Sequence, residues 1–107
     1  MSNTLLVITN MPDVESATRL AHRVMSERAA ACVNQLAPCI STYRWQGKIE
    51  SATEIPLLIK TSDIAYQRLE ELIREVHPYE LPEIIAVPLT AGLPAYLSWI
   101  SSETKLE

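Results

Sequence analysis

The densest run of groups able to do chemistry is His77-Pro78-Tyr79-Glu80-Leu81-Pro82-Glu83. Residues before proline are pushed out of the helical region, and a polyproline segment has three residues per turn, so His77, Glu80 and Glu83 can share one face. Imidazole with carboxylates suits Cu, Zn or Ni. At about 3.1 Å rise per residue the three groups stand roughly 9 Å apart, against ligand bonds of about 2.0–2.5 Å. A chelate therefore needs a turn in this segment or a ligand from a second chain. The structural use of the same groups is to bond backbone at the loop or at a subunit contact.

A second group surrounds Gln46-Gly47: Tyr43, Arg44, Trp45, Lys48 and Glu50. With Gln46-Gly47 as a two-residue loop, Trp45 faces Lys48 and Tyr43 faces Glu50, an arrangement open to cation–π contact or to packing against a neighbouring subunit. Clefts between subunits are common ligand sites.

Catalysis finds little support. Cys32 and His77 form a nominal nucleophile and base, but Cys32 falls in an apolar strand, where a buried thiol is inert. With two glycines in the chain, no Gly-rich phosphate loop can be built, and no G-x-S-x-G occurs. Cys32 and Cys39 would lie roughly 23 Å apart in a continuous strand, beyond the ~7 Å limit for a bridge, so two free thiols are expected. Their spacing is not that of zinc ligands, and two His are too few to complete a structural site. His22 falls on the polar face of the first helix and is read as solvated.

Composition sets the frame for these groups. The 107 residues are 48% hydrophobic and 21% charged, which excludes disorder, and the length leaves room for a single domain, 1–107. A net charge of −4 and a pI near 5.1 exclude nucleic acid as a partner. The apolar start of the chain is too short for a signal-peptide core, and no stretch approaches the ~18 apolar residues of a membrane span, so a cytoplasmic protein without membrane insertion is expected. There is no Phe; the four Tyr and two Trp all carry a polar handle. An aliphatic core with aromatics at its edges follows.

The elements that must position the candidate groups are punctuated clearly. Residues 4–9 (TLLVIT) are a continuous apolar run suited to a central strand. Ala17, Leu20, Ala21, Val24 and Met25 recur at helical spacing after an Asp13 cap, in a helix ending near Arg28. Residues 31–36 form a second strand, broken at Ala37-Pro38 and resuming over 39–45; after the Gln46-Gly47 reversal, residues 48–61 return as a long third strand. Ser62 caps a second helix that closes at His77-Pro78. Residues 83–88 are a fourth strand, and Pro94 opens a terminal helix with Leu93, Tyr96, Leu97 and Ile100 as its apolar stripe.

The order β-α-β-β-α-β plus a terminal helix is the α+β, ferredoxin-like split βαβ sandwich, with strands one and three central and a long hairpin between the second and third strands. Two helices cover one face of the sheet. The other face calls for oligomerisation.

Five stretches can be read together: Ala31-Cys32-Val33-Asn34, Tyr43-x-Trp45-x-Gly47-Lys48-Ile49-Glu50, Ile59-Lys60-Thr61, His77-Pro78-Tyr79-Glu80-x-Pro82-Glu83 and Tyr96-Leu97-Ser98-Trp99-Ile100. In that order they resemble the CutA family, the divalent-cation tolerance proteins, from Leu5 to Ile100. The resemblance implies a ferredoxin-like protomer in a homotrimer joined through the long hairpins, akin to the PII signalling proteins. It implies a cytoplasmic role in tolerance to copper and other divalent metals, and in animal members the anchoring of a membrane esterase. It implies no enzyme and no required cofactor; the bound ion would be Cu2+ or another divalent cation. Some members are described as holding copper through a thiol at the end of the first strand with His and Glu from the His-Pro segment. His77 and Glu83 match, whereas the thiol position is Thr9, and Val76 stands where some relatives carry His. A cleft between subunits lined by His77, Tyr79, Glu80, Glu83, Lys60 and Trp45 is the expected ligand site. The alternative is a PII-like signalling or interaction scaffold whose link to metal is indirect.

Overall fold

A computed structural model describes residues 3–106; residues 1, 2 and 107 of the expected 1–107 domain lie outside the described residues. The elements are β1 (Thr4–Met11), α1 (Val14–Ser26), β2 (Cys32–Gln35), β3 (Cys39–Trp45), β4 (Lys48–Ser62), α2 (Asp63–Val76), β5 (Ile85–Pro88) and α3 (Pro94–Glu103). Local chemistry sets their ends. The Ser16 N–H donates to Asp13 Oδ1 at 2.7 Å, capping α1 and holding that carboxyl below the usual carboxylate range. The Ala65 N–H donates to Ser62 Oγ at 3.2 Å at the start of α2. That helix stops at His77, which the following proline keeps extended at φ −72°, ψ 131°.

The sheet runs β2-β4-β1-β5, antiparallel throughout, with β1 and β4 central as expected and β3 pairing the outer half of β4. Strand alternation turns Val7, Met11, Ile55, Leu57 and Ile59 toward the helices, where they pack with Leu20 and Val24 of α1 and Leu69, Leu72 and Ile73 of α2. This core is aliphatic apart from Met11. The partners in register on the opposite face are Leu6, Lys60, Cys32 and Val87, then Ile8, Leu58 and Ile85.

The long strand β4 is the spine of the molecule. Its inner half pairs β2 from Cys32↔Lys60 to Gln35↔Leu57, and its outer half pairs β3 from Cys39↔Glu54 to Trp45↔Lys48, with the break at the expected Ala37-Pro38. At the tip, Gln46 and Gly47 have φ of 49° and 79°, the left-handed pair that a two-residue reversal requires. The projecting hairpin draws the molecule out to 44 Å, against 26 and 23 Å in the other directions.

Boundaries and burial depart from the sequence reading in places. β1 runs on to Met11 because Asn10 and Met11 still pair with Pro56 and Ile55, and β5 begins only at Ile85. α1 ends at Ser26, and Arg28 turns the chain at φ 56°. The terminal helix does not bury its expected stripe: Ile100 is enclosed, while Leu93 and Tyr96 are exposed. The reason is its position on the face opposite α1 and α2, where Tyr96 is hydrogen-bonded to Cys32 and the Thr104 hydroxyl to Ser62 Oγ at 2.9 Å.

Candidate ligand cleft

Outer β3 and β4 place Tyr43 opposite Glu50, Ser41 opposite Ala52 and Cys39 opposite Glu54, as the two-residue loop requires. The segment after α2 bends at residues 79–81 and crosses this face of the hairpin. A cleft of about 1010 Å³ lies between them, with Tyr43, Trp45, Glu50 and Glu54 on one wall and Tyr79, Glu80 and Glu83 on the other. Tyr79 hydrogen-bonds across the cleft to Glu54, which is only 8% exposed. Burial, that bond and the Glu54 charge push the Tyr79 phenol up to about 12.

His77 stands behind the cleft at 7% exposure. Its Nδ1 accepts from the Tyr79 N–H at 3.1 Å, and its Nε2 lies 2.7 Å from the Asn10 carbonyl oxygen. One nitrogen accepting and the other facing a carbonyl defines a neutral ring protonated on Nε2. The ring also lies 4.7 Å from that of Tyr79. Asn10 binds the other end of the segment as well, its Nδ2 donating to Glu83 Oε1 at 3.0 Å. The bend thus brings His77 and Glu83 to one residue, where a straight polyproline run would hold them roughly 18 Å apart.

Of the expected cleft residues, Trp45, Tyr79, Glu80 and Glu83 form walls and His77 lies just behind them. Lys60 is elsewhere. It is six residues along β4 from Glu54, roughly 20 Å in a strand, beside Cys32 and hydrogen-bonded to Asn34 Oδ1. Cys32 is likewise not enclosed in an apolar strand: it is half-buried, with Lys60 Nζ 3.9 Å from its sulfur, and both cysteines are free. Thr9 points to the helices, fully buried, its hydroxyl without a partner. Val76 packs against the core. Among the described residues, no three His, Cys, Asp or Glu side chains converge to hold a metal ion. Sequence reasoning missed Asn10 and Glu54. Glu54 carried a signal, a carboxylate directly before the apolar run 55–59, and Asn10 the corresponding one, a polar residue just after an apolar strand.

A split βαβ sandwich whose projecting hairpin faces an acidic loop across a cleft defines a distinct class of ferredoxin-like protein. The pattern of the CutA1 divalent ion tolerance protein family matches residues 5–103, and the chain belongs to that family. It is 39% identical over 99 residues to the divalent-cation tolerance protein CutA of Thermus thermophilus, covering 92% of this chain and 96% of that one. The crystal structure of CutA from Xylella fastidiosa superposes with a TM-score of 0.93 at 46% identity, covering 97% of this chain and all of that one. The periplasmic divalent cation tolerance protein CutA of Archaeoglobus fulgidus gives 0.92 at 33% identity, covering 95% and 99%. The chain spans about half the length of two curated relatives, protein CutA of mouse (53%) and the chloroplastic protein CutA of Arabidopsis thaliana (56%). Membership places it among the divalent-cation tolerance proteins. Among the described residues, no helix is long and apolar enough to cross a membrane.

Proposed function

We propose that the protein serves tolerance to divalent ions, copper foremost, as a cytoplasmic homotrimer that binds the ion or a small ligand at clefts between subunits, without a catalytic step and without a required cofactor. The observation that carries this reading is the gathering of His77, Tyr79, Glu80 and Glu83 around Asn10 and the hairpin wall. Glu83 is exposed and supplies a carboxylate, and His77 supplies Nε2 once that nitrogen leaves the Asn10 carbonyl and its proton moves to Nδ1, which gives up the Tyr79 N–H. Two donors fall short of a chelate, so the remaining ligands come from a neighbouring subunit.

Unfilled strand edges beside the cleft support that assembly. Residues 48–54 of β4 pair β3 on one side only, and β5 pairs β1 only. Such edges are ready to receive a strand from another copy. The test is thermal melting during titration with Cu2+. Wild type should gain melting temperature, and the His77→Ala, Glu83→Ala double variant should gain much less relative to its own ion-free baseline. Equal gains in the two proteins overturn the reading.

A further inference from the structure

Asn10 holds both of the groups, His77 and Glu83, that the reading above gives to the ion. It stands at the outer end of β1, two residues past the last pair with β5, Ile8↔Ile85. The carbonyls of the even-numbered β1 residues face that edge: Thr4 O accepts from the Leu89 N–H at 3.0 Å, and alternation along the ladder turns Asn10 O the same way. Beyond the reach of β5, the Asn10 carbonyl accepts from His77 Nε2 at 2.7 Å, while Asn10 Nδ2 donates to Glu83 Oε1 at 3.0 Å. The other His77 nitrogen accepts from the Tyr79 N–H at 3.1 Å, so neither nitrogen of this buried ring offers a free lone pair.

We infer that Asn10 is an autoinhibitory latch: its contacts hold segment 77–83 in a closed state that refuses a divalent ion, and the ion binds only the state in which the segment has left Asn10. This rests on the ion site proposed above and adds its regulation. The His77 main chain is fixed to α2, its N–H donating to Ile73 O at 2.8 Å, so release is confined to the ring and the residues after it. The ring turns from Asn10, its proton passes from Nε2 to Nδ1, and the Tyr79 N–H loses its acceptor. At the far end of the segment, Glu83 gives up the Asn10 amide. A ligand that binds one of two states draws the population toward it, and its apparent affinity is reduced by the fraction of protein in the competent state. The latch therefore sets a threshold, and the site fills only when the ion is in excess.

The test is calorimetric titration of the full chain, in its native assembly, with Cu2+. Wild type is compared with Asn10→Ala, which keeps the carbonyl and removes the amide that Glu83 accepts from. Apparent affinity should rise by about two- to tenfold for one hydrogen bond lost from the closed state. Removing a residue that only supports the fold leaves affinity unchanged or lowers it, and either result overturns the latch while the ion site stands. The rise should be absent when both proteins also carry His77→Ala; a rise that persists there comes from an ion bound elsewhere and overturns the latch. Hydrogen exchange at the Tyr79 amide is the second readout. Saturating Cu2+ should speed it in wild type, because the acceptor on His77 is lost, and exchange that is unchanged or slowed overturns the latch. Absence of copper binding in both wild type and Asn10→Ala overturns the ion site and the latch with it.

Discussion

Tyr79 ties the two walls of the cleft together, and it can do so only while its phenol keeps a proton to share with Glu54. The folded protein holds that proton up to about 12, above the ordinary tyrosine value of 10.0. A group whose folded pKa is raised binds its proton more tightly in the folded state. Its stabilisation is complete below pH 10 and is lost as the pH climbs from about 10 to about 12. Tyr66 and Tyr96 are also raised, Tyr66 by burial and its bond to Glu70, Tyr96 by burial and Cys32, so some alkaline decline belongs to them. Melting temperature in wild type should therefore fall more steeply across that window than in Tyr79→Phe, which keeps the other two. Parallel declines would show that the Tyr79–Glu54 bond is not what titrates. Thr9 marks the other side of the same sheet. Alternation turns it into the core with an unanswered hydroxyl, while Asn10, one residue on, reaches the loop. Thr9 is thereby committed to the helix-facing layer.

At the scale of elements, the hairpin depends on its tip. Gly47 sits at φ 79°, and a Cβ added there meets nothing within 4 Å, so any cost of Gly47→Ala is backbone conformation alone. Left-handed geometry costs a residue with a side chain about 1–2 kcal/mol. Urea unfolding should show a stability lowered by that amount, read as a lower midpoint at an unchanged slope; a midpoint within error of wild type would mean the tip refolds into another turn. Features of this local kind were legible from sequence: the Asp13 and Ser62 caps, the Gln46-Gly47 reversal, the interruption at Ala37-Pro38 and the stop at His77-Pro78. What was not legible depends on residues far apart in the chain. Glu83 reaches Asn10 across 73 positions through a bend that no local motif announces. The resemblance places Lys60 with His77, but β-register carries it to Cys32 and Leu6. The terminal helix has apolar residues at helical spacing, yet spacing does not say which surface, or whose, they meet.

The whole molecule shows where those residues lead. Its core of Val, Leu, Ile, Ala and Met closes without an aromatic, and Tyr43, Trp45, Tyr96 and Trp99 remain exposed on the hairpin and α3. On the sheet face away from α1 and α2, Ile85 and Val87 are 49% and 45% exposed beside half-buried Leu6, Ile8 and Leu58. An apolar sheet face bordered by an unpaired edge strand is a liability for a monomer and an interface for an oligomer. If copies join through this face, sedimentation should return three times the 12.0 kDa protomer mass. Val87→Lys places a charge among these apolar side chains without touching the helix-facing core. It should dissociate the assembly, lower the melting temperature and abolish the copper-induced gain, because the ligands from the neighbouring subunit leave with it. A Val87→Lys protein of unchanged mass would show that the assembly is built elsewhere, and the exposed sheet face would then have to be covered by a different partner.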